Sequence, residues 1–296
     1  MATTQRMGVA IGVLSCCCGA GAAVATRHLI DGSDAITLAA VRFGGGVLCV
    51  APLAVVLRVK WPARADVPAV AGLGLLFYGV FFVFYNLALD FTTVARGTLA
   101  LSTLPLMTMV VGAVLGLERL GLRKSVGVLV AVGGVVVALA AGLKSAPAGA
   151  WRGDLIMAGA TFCMALYSVY SRPFAGRSSP LGVLTLGMAA GGTAMVVASI
   201  VSGGAGSLAH FGLIEWLAAA YLAAGGGALA FLLWVYALQL ATPTQVANTM
   251  TVNPFVATLL AAGLLGEPVT VDVVVGLAAV VAGLWIATAS PQDGKD

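Results

Sequence analysis

Apolar residues run along the chain in long continuous blocks broken by short polar or turn-rich stretches, a pattern that predicts helices. The blocks do not alternate apolar and polar with a period of two, which excludes a transmembrane β-barrel. Ten blocks stand out, near residues 7–26, 35–57, 68–89, 95–117, 122–143, 154–171, 180–202, 213–238, 244–266 and 270–289. Each approaches the roughly 20 residues that a helix needs to cross a hydrocarbon core about 30 Å thick. The breaks between them leave no room for a soluble domain. The link from Lys144 to Gly153, carrying Pro147, Gly149, Trp151 and Arg152, divides the chain in half. The expectation is an all-α polytopic membrane protein of ten transmembrane helices in two units, 1–146 and 147–296.

Composition fixes the solvent. Among 296 residues, 60% are hydrophobic and only 9% are charged, against about 25% charged in an average soluble domain. Such a chain has too little polar skin for water, which excludes a soluble enzyme, a nucleic-acid binder and a disordered chain; its main partner is the lipid bilayer. With the N-terminus inside, ten basic residues fall on the inner side: Arg6, Arg58, Lys60, Arg64, Arg119, Arg123, Lys124, Arg172, Arg177 and Lys295. Four fall outside: Arg27, Arg96, Lys144 and Arg152. This bias predicts a multi-pass protein of the bacterial inner membrane with both termini cytoplasmic. The net charge of +4 therefore reflects topology and not an acidic partner. Ala23-Val24-Ala25 after the first block looks slightly like a signal-peptide cleavage site. The block from Met7 to Thr26 is long for such a signal, however, and is expected to stay as the first span.

The chain also repeats itself. Shifted by 149 positions, Ala88-Leu89 falls on Ala237-Leu238, Thr93 on Thr242, Pro105 on Pro254 and Glu118 on Glu267. Gly127 falls on Gly276, Gly134 on Gly283, Phe82 on Phe231 and Tyr85 on Trp234. Each copy has five helices, an odd number of crossings, so the copies must face opposite ways. Inverted repeats of this kind imply alternating access to a site between the halves.

Leu117-Glu118-Arg119-Leu120 and Gly266-Glu267-Pro268-Val269-Thr270, each followed by a glycine-bearing apolar helix, resemble the repeated motif of the drug/metabolite transporter superfamily. Arg42-Phe43 in the second span, and Ala88-Leu89 before a helix with a central proline, are similar to its EamA-type branch. The resemblance covers the chain twice over and implies a ten-helix metabolite exporter. It looks closest to bacterial exporters of aromatic amino acids, the YddG kind.

Polar and aromatic residues at membrane depth are costly unless they face protein or water. Tyr78, Phe82, Tyr85 and Leu89 recur on one face of the third helix, and Gly227, Phe231, Trp234 and Leu238 on one face of the eighth. These two faces are expected to flank a central cavity and stack on a flat substrate; the competing reading places Tyr85 and Trp234 in the interfacial aromatic belt. Pro105 and Pro254 fall mid-span in the fourth and ninth helices, where each frees the carbonyl four residues earlier and makes a candidate gating bend. Ser102, Asn248 and Thr251 beside them are candidate substrate contacts, with interhelical packing as the alternative.

Arg42 lies about seven residues into its helix, to snorkel outward, cap a carbonyl cluster or draw an anionic group. Glu118 and Glu267 are expected to accept hydrogen bonds from the backbone amides of the helix that follows each. No carboxylate falls at mid-depth, which favours facilitated export or exchange over proton antiport. Gly44-Gly45-Gly46 and Gly225-Gly226-Gly227 read as flexible points. The five cysteines read as packing residues with neither disulfides nor a metal site, and no cofactor is implied. A monomer is favoured, with a dimer possible in principle, since the small-residue pairs can be satisfied inside one bundle.

The favoured reading is a secondary transporter exporting small amphiphilic metabolites, aromatic and bulky neutral amino acids first, and not an enzyme. The alternatives are an exporter of drug-like or phosphorylated metabolites, an ion channel or an intramembrane enzyme. Phosphate would call for a basic cavity where only Arg42 is available. A channel would need a charged ring or carbonyl filter, and a protease a buried acid pair or zinc motif.

Overall fold

The computed structural model describes residues 2–116, 122–142, 146–241, 246 and 249–288, and every regular element among them is helical. Seven helices are long and apolar enough to cross a membrane: α1 (Thr3–Ile30), α2 (Ala35–Val56), α3 (Val67–Phe91), α4 (Val94–Val114), α6 (Ala150–Ser171), α7 (Pro180–Val201) and α8 (Leu213–Ala237). Three shorter apolar helices complete the series at the expected places: α5 (Ser125–Ala141), α9 (Thr249–Leu265) and α10 (Val271–Gly283). Large apolar side chains such as Leu48, Leu129, Ile200 and Leu259 stand exposed on the bundle surface. In water they would oppose the fold; in lipid they cost nothing.

Local chemistry sets the helix limits. Asp34 caps α2, accepting from the amides of Ile36 at 3.0 Å and Thr37 at 2.9 Å. Thr93 caps α4 through the Arg96 amide. Proline opens α7 at Pro180, where the missing N–H has no helical partner to lose. Gly266 ends α9 with φ +68°, a left-handed cap that glycine adopts without a steric penalty.

The helices pair as an inverted repeat demands. Helix α2 lies along α7 and α5 along α10, each with its own repeat mate. Helix α1 packs on α8 and α9, and its mate α6 packs on α3 and α4. Helix α2 also meets the middle of α8, as α7 meets the middle of α3. The correspondence reaches single residues. A β-carbon on Gly227 would collide with the Arg42 carbonyl oxygen, and one on Gly191 would lie 2.6 Å from the Tyr78 β-carbon. Adding 149 to 42 gives 191 and subtracting it from 227 gives 78, so the two contacts are images of one another.

The glycine triplets, expected to be flexible, are packed closely against neighbouring helices. A β-carbon on Gly45 would lie 2.7 Å from that of Ala223, and one on Gly46 would lie 3.3 Å from the Gly227 carbonyl carbon. Without side chains, α2 and α8 approach backbone to backbone, and dispersion contacts replace the hydrophobic drive that lipid does not supply. Gly227→Ala and Gly191→Ala are each expected to cost about 1–3 kcal/mol through overpacking, read as lower melting temperatures in detergent. Gly263→Ala, where a β-carbon meets only open space, is the control and leaves the melting temperature unchanged or slightly higher.

Candidate functional site

Two helices change their winding at equivalent places. Helix α3 carries a π-helical turn over Leu75–Phe81, and α8 carries one over Leu222–Leu229. Shifted by 149, 75–81 becomes 224–230, so the turns overlap in the repeat frame. A π turn inserts one residue into an α-helix, displaces a backbone carbonyl from its usual partner and frequently marks a functional site. Such turns are not legible as apolar periodicity, because the apolar content does not change through them.

An aromatic cluster gathers at the π turn of α3, which holds Phe77, Tyr78 and Phe81, and is closed by Phe231, two residues past the π turn of α8. Phe43 from α2 lies 4.4 Å from Phe82 and 5.1 Å from Tyr78, ring centroid to centroid. Phe77 stacks on Tyr167 of α6 at 4.3 Å, with 13° between the planes. Phe231 of α8 closes the cluster from the other repeat, 5.7 Å from both Phe77 and Tyr78. Tyr85 joins through Phe82 at 5.7 Å. The structure thus brings together Tyr78, Phe82, Tyr85 and Phe231, packed ring against ring, with Tyr78 1% exposed. Tyr85 is likewise buried. Trp234 is elsewhere, packed with Ala237, Ala241 and Val246 against α1. Phe77 and Tyr167 stand outside the expected site residues; Phe77 neighbours Tyr78 in the π turn, with ring centroids 4.8 Å apart.

The second group lies where α4 and α9 cross. Helix α4 breaks at Ser102 and Thr103 into Val94–Leu101 and Leu104–Val114, with Pro105 in the first turn of the second piece. Helix α9 begins with a 3-10 turn, Thr249–Thr251, and carries Pro254 in the α-helix that follows. The prolines therefore stand just after winding changes and not at simple bends. Ser102 Oγ donates to the Leu99 carbonyl at 2.5 Å and Thr103 Oγ1 to that of Ala100 at 2.8 Å, satisfying carbonyls near the break. Thr98, Leu101, Ser102, Met250, Asn253 and Pro254 line a cleft of about 10 Å³ there, room for about one water. Thr251 stands at the junction of the two α9 segments. Asn248, Glu118 and the side chain of Pro105 lie outside the described residues.

Arg42 is the charge in the middle of the bundle. It is 4% exposed, donates through Nη2 to the Gly226 carbonyl at 3.1 Å, and lays its guanidinium 4.4 Å from the Phe82 ring centroid. Gly226 belongs to the π turn of α8, so the cation answers a carbonyl on the distorted backbone of the opposite repeat. Of the three fates expected from sequence, snorkelling to the surface is not the one adopted.

One end of the bundle is tied by charge. Arg96, expected on the outer side at the start of the fourth span, is buried in the first turns of α4. It pairs with Asp154 of α6 at 2.5 Å and donates to the Leu139 carbonyl of α5 at 2.7 Å. Glu267 departs from expectation as well. Its carboxylate accepts from the Val94 amide at 2.9 Å, capping α4 of the other repeat and not the helix that follows it in sequence. Burial pushes the Glu267 carboxyl above its usual range, opposed by the Val94 amide and by Arg27. A repeat-swapped cap of this kind has no local signature in a sequence. Asp154→Ala is expected to lower stability by about 3–5 kcal/mol by leaving Arg96 buried and unpaired. The double variant Arg96→Met, Asp154→Leu should recover most of that loss in a detergent melt. Glu267→Ala should cost about 0.5–2 kcal/mol as a lost cap, with Glu267→Gln retaining most of the stability by the same measurement.

The comparisons with known proteins agree with this architecture. A family model described as the EamA-like transporter family matches twice, over residues 6–140 and 151–289. An uncharacterised transporter of Bacillus subtilis, YyaM, is 26% identical over 72% of this chain and 68% of its own. An uncharacterised transporter of Archaeoglobus fulgidus is 27% identical over 77% of this chain and 79% of its own. An uncharacterised protein of Pseudomonas aeruginosa is 29% identical, covering 88% and 86%. A solved crystal structure superposes with a TM-score of 0.67 over 96% of this chain and 97% of its own at 21% identity, which shows a shared fold. With a paired helical bundle, two matched halves and transporter relatives, the chain belongs to the EamA-like transporter family, a multi-pass membrane transporter.

Proposed function

We propose that this protein exports small amphiphilic metabolites, aromatic and bulky neutral amino acids first, across the bacterial inner membrane with both termini in the cytoplasm. The single observation that carries the reading is the aromatic cluster at the seam between the repeats, built on the π turn of α3 and closed by Phe231 of α8. Aromatic rings at a seam supply flat, apolar, stackable surface. The adjoining α4–α9 crossing supplies uncharged hydroxyl and amide groups that can hold polar ends without a permanent buried charge.

Transport would proceed by alternating access, residues 1–146 rocking against 147–296 about the α2–α8 and α7–α3 contacts. Helices α4 and α9 already contain winding changes beside Pro105 and Pro254, so closing motions there need break no continuous helical ladder. A site that opens to each side in turn would part Tyr78 and Phe82 from Phe231. Tyr85, Ser102, Thr251 and Asn248 would line the same path, with Trp234 at its far end. Among the described residues no Asp or Glu lies midway along a span, so the proposed cycle is facilitated export or exchange and not obligatory proton antiport. The substrate is the protein's small-molecule partner, no cofactor takes part, and a monomer suffices.

Proteoliposomes loaded with labelled phenylalanine, tryptophan, leucine and quaternary amines test the reading. Efflux of the bulky neutral amino acids without an imposed pH gradient is the expected result. Movement of only the quaternary amines, or a strict requirement for the gradient, would refute the substrate class or the coupling respectively. Tyr78 is too deeply buried for Tyr78→Ala to report on substrate alone, because truncation also leaves a cavity. Phe231→Leu, Tyr78→Phe and Asn248→Ala are the informative variants. Each is expected to slow efflux about 5- to 50-fold, the scale of one lost aromatic or hydrogen-bonding contact, at near-normal protein yield.

A further inference from the structure

Arg42 holds more hydrogen-bonding capacity than the protein uses. Its Nη2 has the Gly226 carbonyl, but neither Nε nor Nη1 has a partner among the described residues. Its ion-pair partner is likewise missing there: the described pairs are Arg27 with Asp31 and Glu267, Arg96 with Asp154, and Arg177 with Asp66. Arg96 makes the contrast plain. It is buried to the same degree, 4%, and its Nε also lacks a partner among the described residues, yet it has a carboxylate and a carbonyl. A guanidinium does not give up its proton in a protein, so a buried one must be compensated by an anion or by acceptors. One carbonyl and the face of Phe82 leave most of that requirement unmet.

The location adds a second argument. Arg42 stands on the α2–α8 seam, the surface that rocking of the halves would part. Its repeat mate is Gly191, so the charge has no counterpart across the pseudo-symmetry and serves no role the fold needs twice. The guanidinium also adjoins the aromatic cluster, 4.4 Å from the Phe82 centroid and 5.5 Å from that of Phe43. A fixed cation beside packed rings complements a molecule with a carboxylate at one end and an apolar or aromatic body at the other.

We infer that Arg42 is the anchor for the carboxylate of the transported molecule, with Nε and Nη1 as donors and the Phe43–Phe82 cluster receiving the body. The inference rests on the proposed export function and narrows it: the substrate class is small carboxylates with an apolar body, and amines lacking the carboxylate are poor ligands. A charge-assisted hydrogen bond inside a low-dielectric site makes the discrimination on the order of 10- to 100-fold.

The test is binding to purified full-length protein, read as a ligand-induced rise in melting temperature and titrated to an apparent affinity. The probes are 3-phenylpropionate, a carboxylate without an amine, and phenethylamine, an amine without a carboxylate. Wild type should bind 3-phenylpropionate about 10- to 100-fold more tightly than phenethylamine. Arg42→Gln should lose that preference and Arg42→Lys should restore part of it. A purely structural Arg42 would change the ligand-free melting temperature of the variants but not the ratio between probes. Equal binding of the two probes by wild type, no binding of 3-phenylpropionate, or a preference kept in Arg42→Gln overturns the inference. If the variants fold poorly, equal binding of the two probes by wild type still overturns the inference. Failure of phenylalanine efflux from proteoliposomes, with the carboxylate preference intact, would instead count against the amino-acid reading and leave the anchor standing.

Discussion

The close approach of α2 to α8, with Gly227 under the Arg42 carbonyl, and its image between α7 and α3, with Gly191 against Tyr78, hold the two halves in register. In lipid there is no hydrophobic gain from burying one apolar helix against another, so association depends on how closely the backbones can pack. Only glycine permits this separation, and it is found at both image positions. The contacts of Gly45 and Gly46 with α8 extend this approach, and the aromatic cluster lies beside it.

The same lack of water governs the polar groups. Every carbonyl displaced by a π turn or a broken helix needs a partner inside the protein. Ser102 and Thr103 turn back onto carbonyls of their own helix, Arg42 reaches the π turn of the other repeat, and Glu267 caps a helix of the other repeat. Two of these four partnerships cross between the halves. In the proposed cycle, relative movement of the repeats would exchange polar partners as well as apolar surface. The buried Arg96–Asp154 pair differs, because it joins α4 to α6 within reach of the α5 carbonyl at Leu139 and gives the cation an anion as well as a carbonyl.

Symmetry in the backbone is matched by asymmetry in chemistry. Both bulky members of the image contacts, Arg42 and Tyr78, come from the first repeat, and both glycines come from the second. A site lying on a pseudo-two-fold axis would by default be as symmetric as the fold, and a small substrate with one charged end is not symmetric. Placing cation and tyrosine on one side and small residues on the other would give such a molecule, in the proposed site, a direction.

The positions of the ten helices, the repeat offset of 149 residues and the lipid environment were legible in the linear pattern, because helix length, apolar content and paired Pro and Glu are local properties. Tyr78, Phe82 and Phe231 were also recognisable, since one helical face and its repeat image bring them into view. Phe77, Tyr167, the π turns, the repeat-swapped Glu267 cap and the Arg96–Asp154 pair were decided by tertiary structure. Each depends on which helix lies opposite, and hydrogen bonds and ring contacts between residues far apart in sequence leave no periodic trace. For Arg42 the sequence determined that a charge enters the membrane; only packing determined that it meets a single carbonyl and no acid among the described residues.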